Sequence, residues 1–286
     1  MTHADDKPVV AQRPRGQDRR PPLVNDTEIR VVGMSRSGNH AIIEWLLSQA
    51  DGRVCFLNCA EARTNPFWSA RPLGPGWDTP AHRVSYDDFC LDAERRGELG
   101  RKHLLVHSYE DTFLTALSDA RQPHDPARHV GRSGRRVDAL VLRDPLNLFA
   151  SRRASGVGYM EPQTAVRLWI QHAREFLGER HHLRPGRIAI SYNRWVASAG
   201  YRRAIAERLG LRCDDGALRS VASCAGGSSF DGLDYDGRAD QMAVLDRWRS
   251  YADDPGFRRL LSPLVLELSA RIFGPPAREQ PGRAAA

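Results

Sequence analysis

The stretch EIRVVGMSRSGNHAIIEWLLSQ, residues 28–49, indicates the fold class of this chain. Its apolar run IRVVG (29–33) predicts a buried strand, and the apolar residues after Asn39 recur at helical spacing. Between them, Gly33 and Gly38 lie five positions apart, as in the phosphate-binding loop G-x-x-x-x-G-K-[ST]. In such loops, backbone N–H groups and a helix N-terminus hold an anion. The stretch therefore predicts a strand, an anion-binding loop and a helix.

Two positions of this loop differ from the pattern of nucleotide hydrolases. Asn39 stands in place of the lysine and His40 in place of the hydroxyl residue. The lysine neutralises the β- and γ-phosphates and the hydroxyl holds magnesium, so ATP or GTP hydrolysis is disfavoured. The N–H groups of about residues 37–41 and the cation Arg36 remain, and this set can bind a tetrahedral anion without a metal. The alternative is an ordinary glycine turn with no ligand.

The rest of the chain continues the same alternation of strands and helices. Further apolar runs are VCFL (54–57), HLLVH (103–107), VDALVLR (137–143) and RIAISY (187–192), and the clearest amphipathic helix is TAVRLWIQHAREFLGE (164–179), with Gly178 as its stop. The alternation predicts an α/β fold, a central and mainly parallel sheet with helices on both faces. Ligands of such folds bind at the carboxyl ends of the strands.

The length and composition fit one globular domain with disordered ends. The 286 residues are 41% hydrophobic and 27% charged, which is ordinary for a globular chain with a substantial core. Residues 1–26 and 275–286 are rich in proline and charge, so we expect disordered tails around a single domain at 27–274. Residues 121–136 are rich in arginine and predict a loop, either solvated surface or a lid over an acceptor.

Charge and cysteine usage limit the choice of partner and compartment. The net charge of +7 comes mostly from arginine, which suits phosphate and sulfate oxygens. The sequence lacks the tandem basic and aromatic pattern of a nucleic-acid module, so we expect no nucleic-acid partner. Five cysteines without C-x-x-C spacing predict free thiols. With no apolar run near the roughly 18 residues of a membrane span and no signal peptide, we expect a cytosolic protein.

A second anion-binding element is predicted in ALVLRDPLNLFASRRAS, residues 139–155. Arg143 ends a strand, Pro145 suits a helix start, and Ser151 lies in the helix that follows. Arg143 and Ser151 can converge on one anion; alternatively, Arg143 only pairs with a carboxylate. Two anion sites at the ends of parallel strands indicate a nucleotide that carries phosphates at both ends.

With both motifs, the chain resembles the bacterial type of sulfotransferase that uses 3′-phosphoadenosine 5′-phosphosulfate (PAPS). Arg36-Ser37-Gly38 match the 5′ loop [KR]-[ST]-G-[TS]-[TS], and Arg143 and Ser151 match the family's arginine and serine eight residues apart. The segment RIAISYNRWVASAGYRRAIAERLGL (187–211) is similar to the family's later strand and helix. Asn39 and His40 stand where the family usually has Thr or Ser, and Ala41 where many members have a tryptophan against adenine.

The resemblance implies a P-loop-like sulfotransferase fold and the transfer of a sulfuryl group from PAPS, without a metal, to a hydroxyl or amine. Arg36 and the loop would neutralise the leaving 5′-phosphate, with Asn39 and His40 as further contacts. Tyr192 would lie against the adenine. Ser228 and Arg238 are further candidate contacts, because they lie in a late segment similar to the family's loop that closes over the nucleotide. The alternative is a plain flexible loop with no ligand.

The resemblance also implies a base that takes the acceptor's proton. LLVHSYED (104–111) is similar to the family's strand that ends in KTHLP, so His107 is the first candidate. Its alternative is a surface or capping histidine. Glu44, two helical turns beyond Arg36, is the competing base, and its alternative is an exposed helix glutamate.

The acceptor and two rival functions remain open at the level of sequence. The rivals are a phosphotransferase that uses ATP through a degenerate loop and a non-catalytic nucleotide-binding protein. Four aromatic residues could either wall an acceptor pocket or pack under a long loop: Phe67, Trp68, Trp77 and Tyr86. The bias toward alanine, arginine and glycine is typical of a GC-rich genome, which suits a bacterial carbohydrate or natural product as acceptor. The oligomeric state is not predicted.

Overall fold

A computed structural model of the chain describes residues 21–73, 82–118, 127–156, 160–222 and 227–275. Within these ranges six strands form one sheet: β1 (Leu23–Gly33), β2 (Val54–Leu57), β3 (His82–Val84), β4 (Lys102–Glu110), β5 (Arg132–Leu142) and β6 (Ile188–Ser191). The α-helices are α1 (Asn39–Ser48), α2 (Pro66–Ser69), α3 (Leu91–Arg96), α4 (Leu114–Ser118), α5 (Ala127–Val130), α6 (Pro145–Ser155), α7 (Pro162–Phe176), α8 (Tyr192–Ala197), α9 (Ala199–Leu209), α10 (Pro255–Arg258) and α11 (Pro263–Phe273).

The predicted α/β class is confirmed. The strand order is β3-β2-β4-β1-β5-β6, and every neighbouring pair is parallel except β2 with β3. The edge strand β3 is antiparallel and three residues long, and the sequence analysis missed it. The central position of β1 places the loop that follows it in the middle of the carboxyl edge, where parallel α/β sheets bind ligands.

Two predicted boundaries are wrong. Residues 23–26, assigned to the N-terminal tail, begin β1, where Asn25 is buried and donates through Nδ2 to Val130 O at 2.8 Å. Residues 132–136, assigned to a loop, begin β5 and pair with this part of β1. The two polar segments form strands because each satisfies the backbone hydrogen bonds of the other. Residues 1–20, 121–126 and 276–286 lie outside the described ranges, as do Trp77 and Cys224.

The sheet has a mainly apolar face and a face that mixes apolar and charged groups. On the first, Ile29 and Val31 of β1 pack against α1, α8 and α9. On the second, Met34, directly after β1, and Leu142, the last residue of β5, pack against α6, α7 and α11. Below them Arg30 and Asp138 form a buried ion pair at 2.5 Å. Side chains alternate along each strand, so residue parity decides which face a side chain reaches.

Other features agree with the sequence or extend it. α7 starts at Pro162 and is capped at Leu177, one residue before Gly178, the predicted stop. Four described cysteines are free thiols, as predicted: Cys55, Cys59, Cys90 and Cys213. Within the described ranges, no helix has both the length and the apolar character that a membrane crossing requires.

Candidate active site at the carboxyl edge of the sheet

The loop between β1 and α1 has the shape of an anion cradle. Arg36 and Gly38 both adopt left-handed backbone conformations, with φ of 71° and 86°. The Ser37 N–H donates to Met34 O at 3.0 Å, which closes the turn. α1 then begins with no side-chain cap on its first N–H groups. A helix N-terminus of this kind presents N–H donors to a ligand.

Asn39, in the position of the P-loop lysine, is turned away from the mouth of the loop. Its side-chain Nδ2 donates to Met34 O at 3.0 Å and to Glu110 Oε1 at 2.9 Å. The amide packs so closely on Gly33 that a Cβ there would lie 2.3 Å from Asn39 Oδ1, which explains the first glycine of the motif. The side chain of Asn39 is therefore not directed at a ligand in the loop, and the contact predicted for this residue would be made by its backbone N–H.

His40 lies on the wall of the site, and its ring is held by Asn58. Its Nε2 is 3.0 Å from Asn58 Oδ1, while Asn58 Nδ2 donates to Arg71 O and Pro72 O. With the amide oriented by those two carbonyls, Nε2 of His40 is the donor to Oδ1. The hydrogen bond of His40 to a ligand, predicted from the sequence, would use the other ring nitrogen.

Arg143 and Ser151, predicted to converge, are bonded to each other. Arg143 is buried just beyond the end of β5, and its Nη1 donates to Ser151 Oγ at 2.9 Å and to Arg36 O at 3.1 Å. Its Nη2 donates to Val244 O. Burial lowers the pKa of Arg143, because desolvation disfavours the guanidinium cation. The arginine thus joins the loop after β1, helix α6 and the late segment of the chain.

The late segment, residues 227–251, covers the loop from one side. Arg36 Nε donates to Ser229 Oγ at 2.5 Å, and Ser228 lies next to it on the wall of the site. Arg238 is exposed, lies over the ring of Tyr235 and does not line the cavity, so the structure does not bring it to the site. Arg247, which the sequence analysis missed, lines the cavity and donates to Ser228 Oγ at 2.8 Å. The sequence feature that could have indicated Arg247 is its position directly before Trp248.

Tyr192 also lies on the wall of the site. Its ring lies 5.1 Å from the guanidinium of Arg143 and stacks with Trp195 at a centroid distance of 6.0 Å. A Cβ on Gly38 would lie 2.1 Å from Tyr192 Cε2, so only glycine allows the ring to lie on the loop. The sequence analysis placed Tyr192 at the site, and the structure brings it there.

The loop opens into one large cavity of about 1620 Å³. This volume exceeds the roughly 300–1,000 Å³ that is usual for one small ligand, so two ligands can fit side by side. Of the wall residues, Trp195, Val196, Leu218 and Met242 belong to the apolar cluster of Tyr192, and a second, more polar part of the wall includes Glu44, Asn58, Cys59, Arg71 and Glu110. Backbone strain marks the second wall, because Cys59 and Asp111 are non-glycine residues with φ of 47° and 51°.

The chain is similar in fold to two sulfotransferases. The sulfotransferase domain of the Synechococcus PCC 7002 olefin synthase aligns with 88% of this chain and 97% of its own, at 13% identity and a TM-score of 0.47. Mouse sulfotransferase SULT7A1, solved in complex with PAP, aligns with 87% of this chain and 86% of its own, at 13% identity and a TM-score of 0.44. No protein-family profile and no curated protein matches the sequence. At 13% identity, the roles of individual residues must be inferred from the geometry of the site in this chain.

His107 does not reach the cavity, so the first prediction for the base is wrong. β4 continues three residues beyond it to Glu110, and its side chain is fully buried, with Nε2 3.2 Å from Glu28 Oε1 and Nδ1 3.2 Å from Tyr109 Oη. His107 shares a face of the sheet with Tyr109, whereas Ser108 and Glu110 point to the other face. His107 is a core residue.

Glu44 does lie on the cavity wall, where it forms an ion pair with Arg83 across the edge of the sheet. Of the four aromatic residues proposed as an acceptor wall, the three that the structure describes do not line the cavity. Phe67 is buried under Lys102, Trp68 is exposed against Arg95, and Tyr86 lies under Arg53. These three rings therefore pack locally, which was the alternative reading.

Within the described residues, no group of three or more His, Cys, Asp or Glu side chains is arranged to hold a metal ion.

Proposed function

We propose that this protein transfers the sulfuryl group of PAPS to a hydroxyl or amine acceptor and releases 3′-phosphoadenosine 5′-phosphate (PAP). One observation carries the proposal: Arg143 bonds both to Ser151 and to the backbone of Arg36. Two predicted anion-binding segments, more than a hundred residues apart, therefore meet at one cation. A nucleotide with phosphates at its 5′ and 3′ ends is the ligand that such a pair would recognise.

Buried polar atoms at the loop support an anion there. Ser37 Oγ and Arg143 Nε are buried and have no hydrogen-bond partner among the described residues. A buried polar atom without a partner is costly, and a phosphate oxygen nearby would remove the cost. The lowered pKa of Arg143 indicates a cation that a neighbouring anion would stabilise. Arg36 and the loop N–H groups would then hold the 5′-phosphate and the charge that develops as its bond to sulfur breaks.

The two walls of the cavity suit two different ligands. Beside Tyr192 and Trp195 the wall is apolar, which supports placing the adenine there despite Ala41. Beside Asn58 and Arg71 the wall is polar, and the aromatic side chains of the described wall, apart from the imidazole of His40, lie on the nucleotide side. This polarity supports a hydroxyl-rich acceptor such as a carbohydrate over a flat apolar one. A bacterial source, a cytosolic location and the absence of a nucleic-acid partner stay predictions.

Calorimetric titration with PAP, 5′-AMP and ATP with magnesium tests the donor. We expect clear preference for PAP over 5′-AMP, and its loss in Arg143→Lys and Ser151→Ala, because both variants disturb the contact to the 3′-phosphate. Arg194→Ala is the matched control, since Arg194 is exposed and lies over Tyr201. Melting curves of the variants separate lost binding from lost folding. Equal or tighter binding of ATP would contradict the proposal and favour the phosphotransferase.

Turnover tests the role of Arg36. Arg36→Ala should lose most of the release of PAP from PAPS, because the leaving phosphate loses its cation. Binding of PAP without any turnover by the wild type would instead favour the non-catalytic nucleotide-binding protein.

A further inference from the structure

Asn39 creates a link between the anion loop and the end of a neighbouring strand. In place of a lysine that would reach forward to phosphates, the amide reaches sideways, and its Nδ2 donates to Glu110 Oε1 at 2.9 Å. The same nitrogen is held by Met34 O at 3.0 Å. Asn39 is buried, so its orientation is determined by these partners. The amide carries no charge, so it orients the Glu110 carboxylate without forming an ion pair with it.

Glu110 lies where three strand ends meet. It is the last residue of β4 and pairs in register with Gly33, the last residue of β1. The turn after β2 lies next to it, where the N–H groups of Cys59 and Ala60 donate to Ser108 at 2.7 Å. The side chain of Glu110 is partly exposed and lines the cavity. A carboxylate here faces both the anion loop and the polar wall.

Two acidic groups close to Glu110 are paired with arginines. Glu44 is paired with Arg83. Asp111 accepts from Arg152 Nη1 at 2.8 and 3.0 Å and from the Ser35 N–H at 3.1 Å. Burial raises the pKa of the Cys59 thiol to about 11, so it stays protonated. By contrast, no arginine, lysine or histidine of the described residues forms an ion pair with Glu110.

We propose that Glu110 is the base of the transfer reaction and that Asn39 is its positioning residue; this inference rests on the proposed function. The acceptor oxygen or nitrogen forms a bond to sulfur while the bond between sulfur and the 5′-phosphate oxygen breaks. The electron pair of the broken bond stays on that phosphate oxygen. The acceptor's proton moves to the Glu110 carboxylate, which becomes a carboxylic acid. The group that performs this task lies on the strand where His107 was expected, three residues further along.

Release of PAP from PAPS, with water or an added polyol as acceptor, tests the proposal in the full chain. Glu110→Gln should lower turnover by roughly 10²- to 10⁴-fold, the usual contribution of a base. Its affinity for PAP and its melting temperature should stay those of the wild type. The rise of turnover with pH in the wild type should become flat in Glu110→Gln, which a purely structural role would not produce. Glu267→Gln is the matched control, because Glu267 is an exposed glutamate on α11 that does not line the cavity.

Asn39 is tested in the same assay. Asn39→Ala should lower kcat with little change in KM for PAPS, since the carboxylate loses its orientation while the loop N–H groups remain. Asn39→Lys should lower kcat further, because the ammonium group neutralises Glu110.

The outcomes separate the two proposals. Failure of the wild type to bind PAP removes the proposed function. Intact PAP binding with turnover retained in Glu110→Gln, or lost only in Glu44→Gln or His40→Gln, overturns the role of Glu110 and leaves the donor assignment standing. The role of Glu110 is also overturned if the wild type binds PAP but releases PAP from PAPS no faster than buffer alone.

Discussion

At the scale of single residues, the site contains a position, Gly38, that only glycine can occupy. Gly38 needs both a left-handed backbone, with φ of 86°, and the absence of a Cβ, because the Tyr192 ring lies against it. Gly97 has nearly the same φ, 88°, but a Cβ there would meet nothing within 4 Å. The two glycines therefore separate the cost of the backbone from the cost of the contact.

We expect Gly97→Ala to lower the free energy of unfolding by about 1–2 kcal/mol, the cost of a left-handed alanine. Gly38→Ala should lower it by more and should also weaken PAP binding, because the Tyr192 ring must move. Urea denaturation and calorimetry of both variants check this. Equal losses of stability would show that the ring adapts without cost.

At the scale of elements, the anion loop is braced from outside the cavity by α6. Arg152 Nη1 donates to Ser35 O at 3.2 Å and bonds to Asp111, whose carboxylate also accepts from the Ser35 N–H. Arg152 and Asp111 are both largely buried. Helix α6 thus supports the loop through Arg152, just as it supports Arg143 through Ser151.

We expect Arg152→Ala to weaken PAP binding about tenfold, although Arg152 does not line the cavity. A hydrogen bond to a charged group contributes about 1.5–3 kcal/mol, and about 1.4 kcal/mol corresponds to tenfold in affinity. Arg153→Ala is the control on the same helix, since Arg153 forms a surface pair with Asp254. Calorimetric titration with PAP measures the affinity of both variants. A similar affinity in the two would mean that Arg152 does not shape the loop.

At the scale of the whole molecule, buried titratable groups make stability depend on pH. Burial raises the pKa of Glu28, but His107, Arg136 and Ser133 lower it by more, so that it lies at about 2. Burial lowers the pKa of His172 to about 4, against an ordinary value of 6.5, while its Nε2 lies 3.3 Å from Thr112 O. Both lowered pKa values make the folded chain less stable in acid than at neutral pH.

We expect the free energy of unfolding to fall as the pH falls from about 6.5 to 4, because there the unfolded chain binds a proton at His172 that the folded chain does not. Glu28 adds a further loss between about 4.5 and 2. Each unit of pKa difference corresponds to about 1.4 kcal/mol. In His172→Gln the loss above pH 4 should be smaller than in the wild type. Urea denaturation at several pH values measures it, and parallel curves would contradict the assignment.

Local patterns in the sequence were sufficient for the elements that carry the nucleotide proposal. Glycine spacing and an apolar run predicted the strand, loop and helix around Arg36. The apolar run VDALVLR (137–143) predicted β5, and Pro145 predicted the start of the helix that carries Ser151. These features depend on neighbours within about ten residues, so backbone preference and helix capping determine them. The boundaries of β1 and β5 were wrong because polar segments formed strands through pairing with each other.

The sequence by itself determined the α/β class, the anion loop and the two motifs that meet at Arg143. Only the tertiary structure decided which groups surround them. It placed His107 on the far face of the sheet and Glu110 on the cavity wall, because side chains alternate along a strand and the sequence does not state which face meets the ligand. It also brought Ser229 and Arg247 to the site from about two hundred residues away from Arg36. Contacts at such separation arise from chain packing, and no local pattern encodes them.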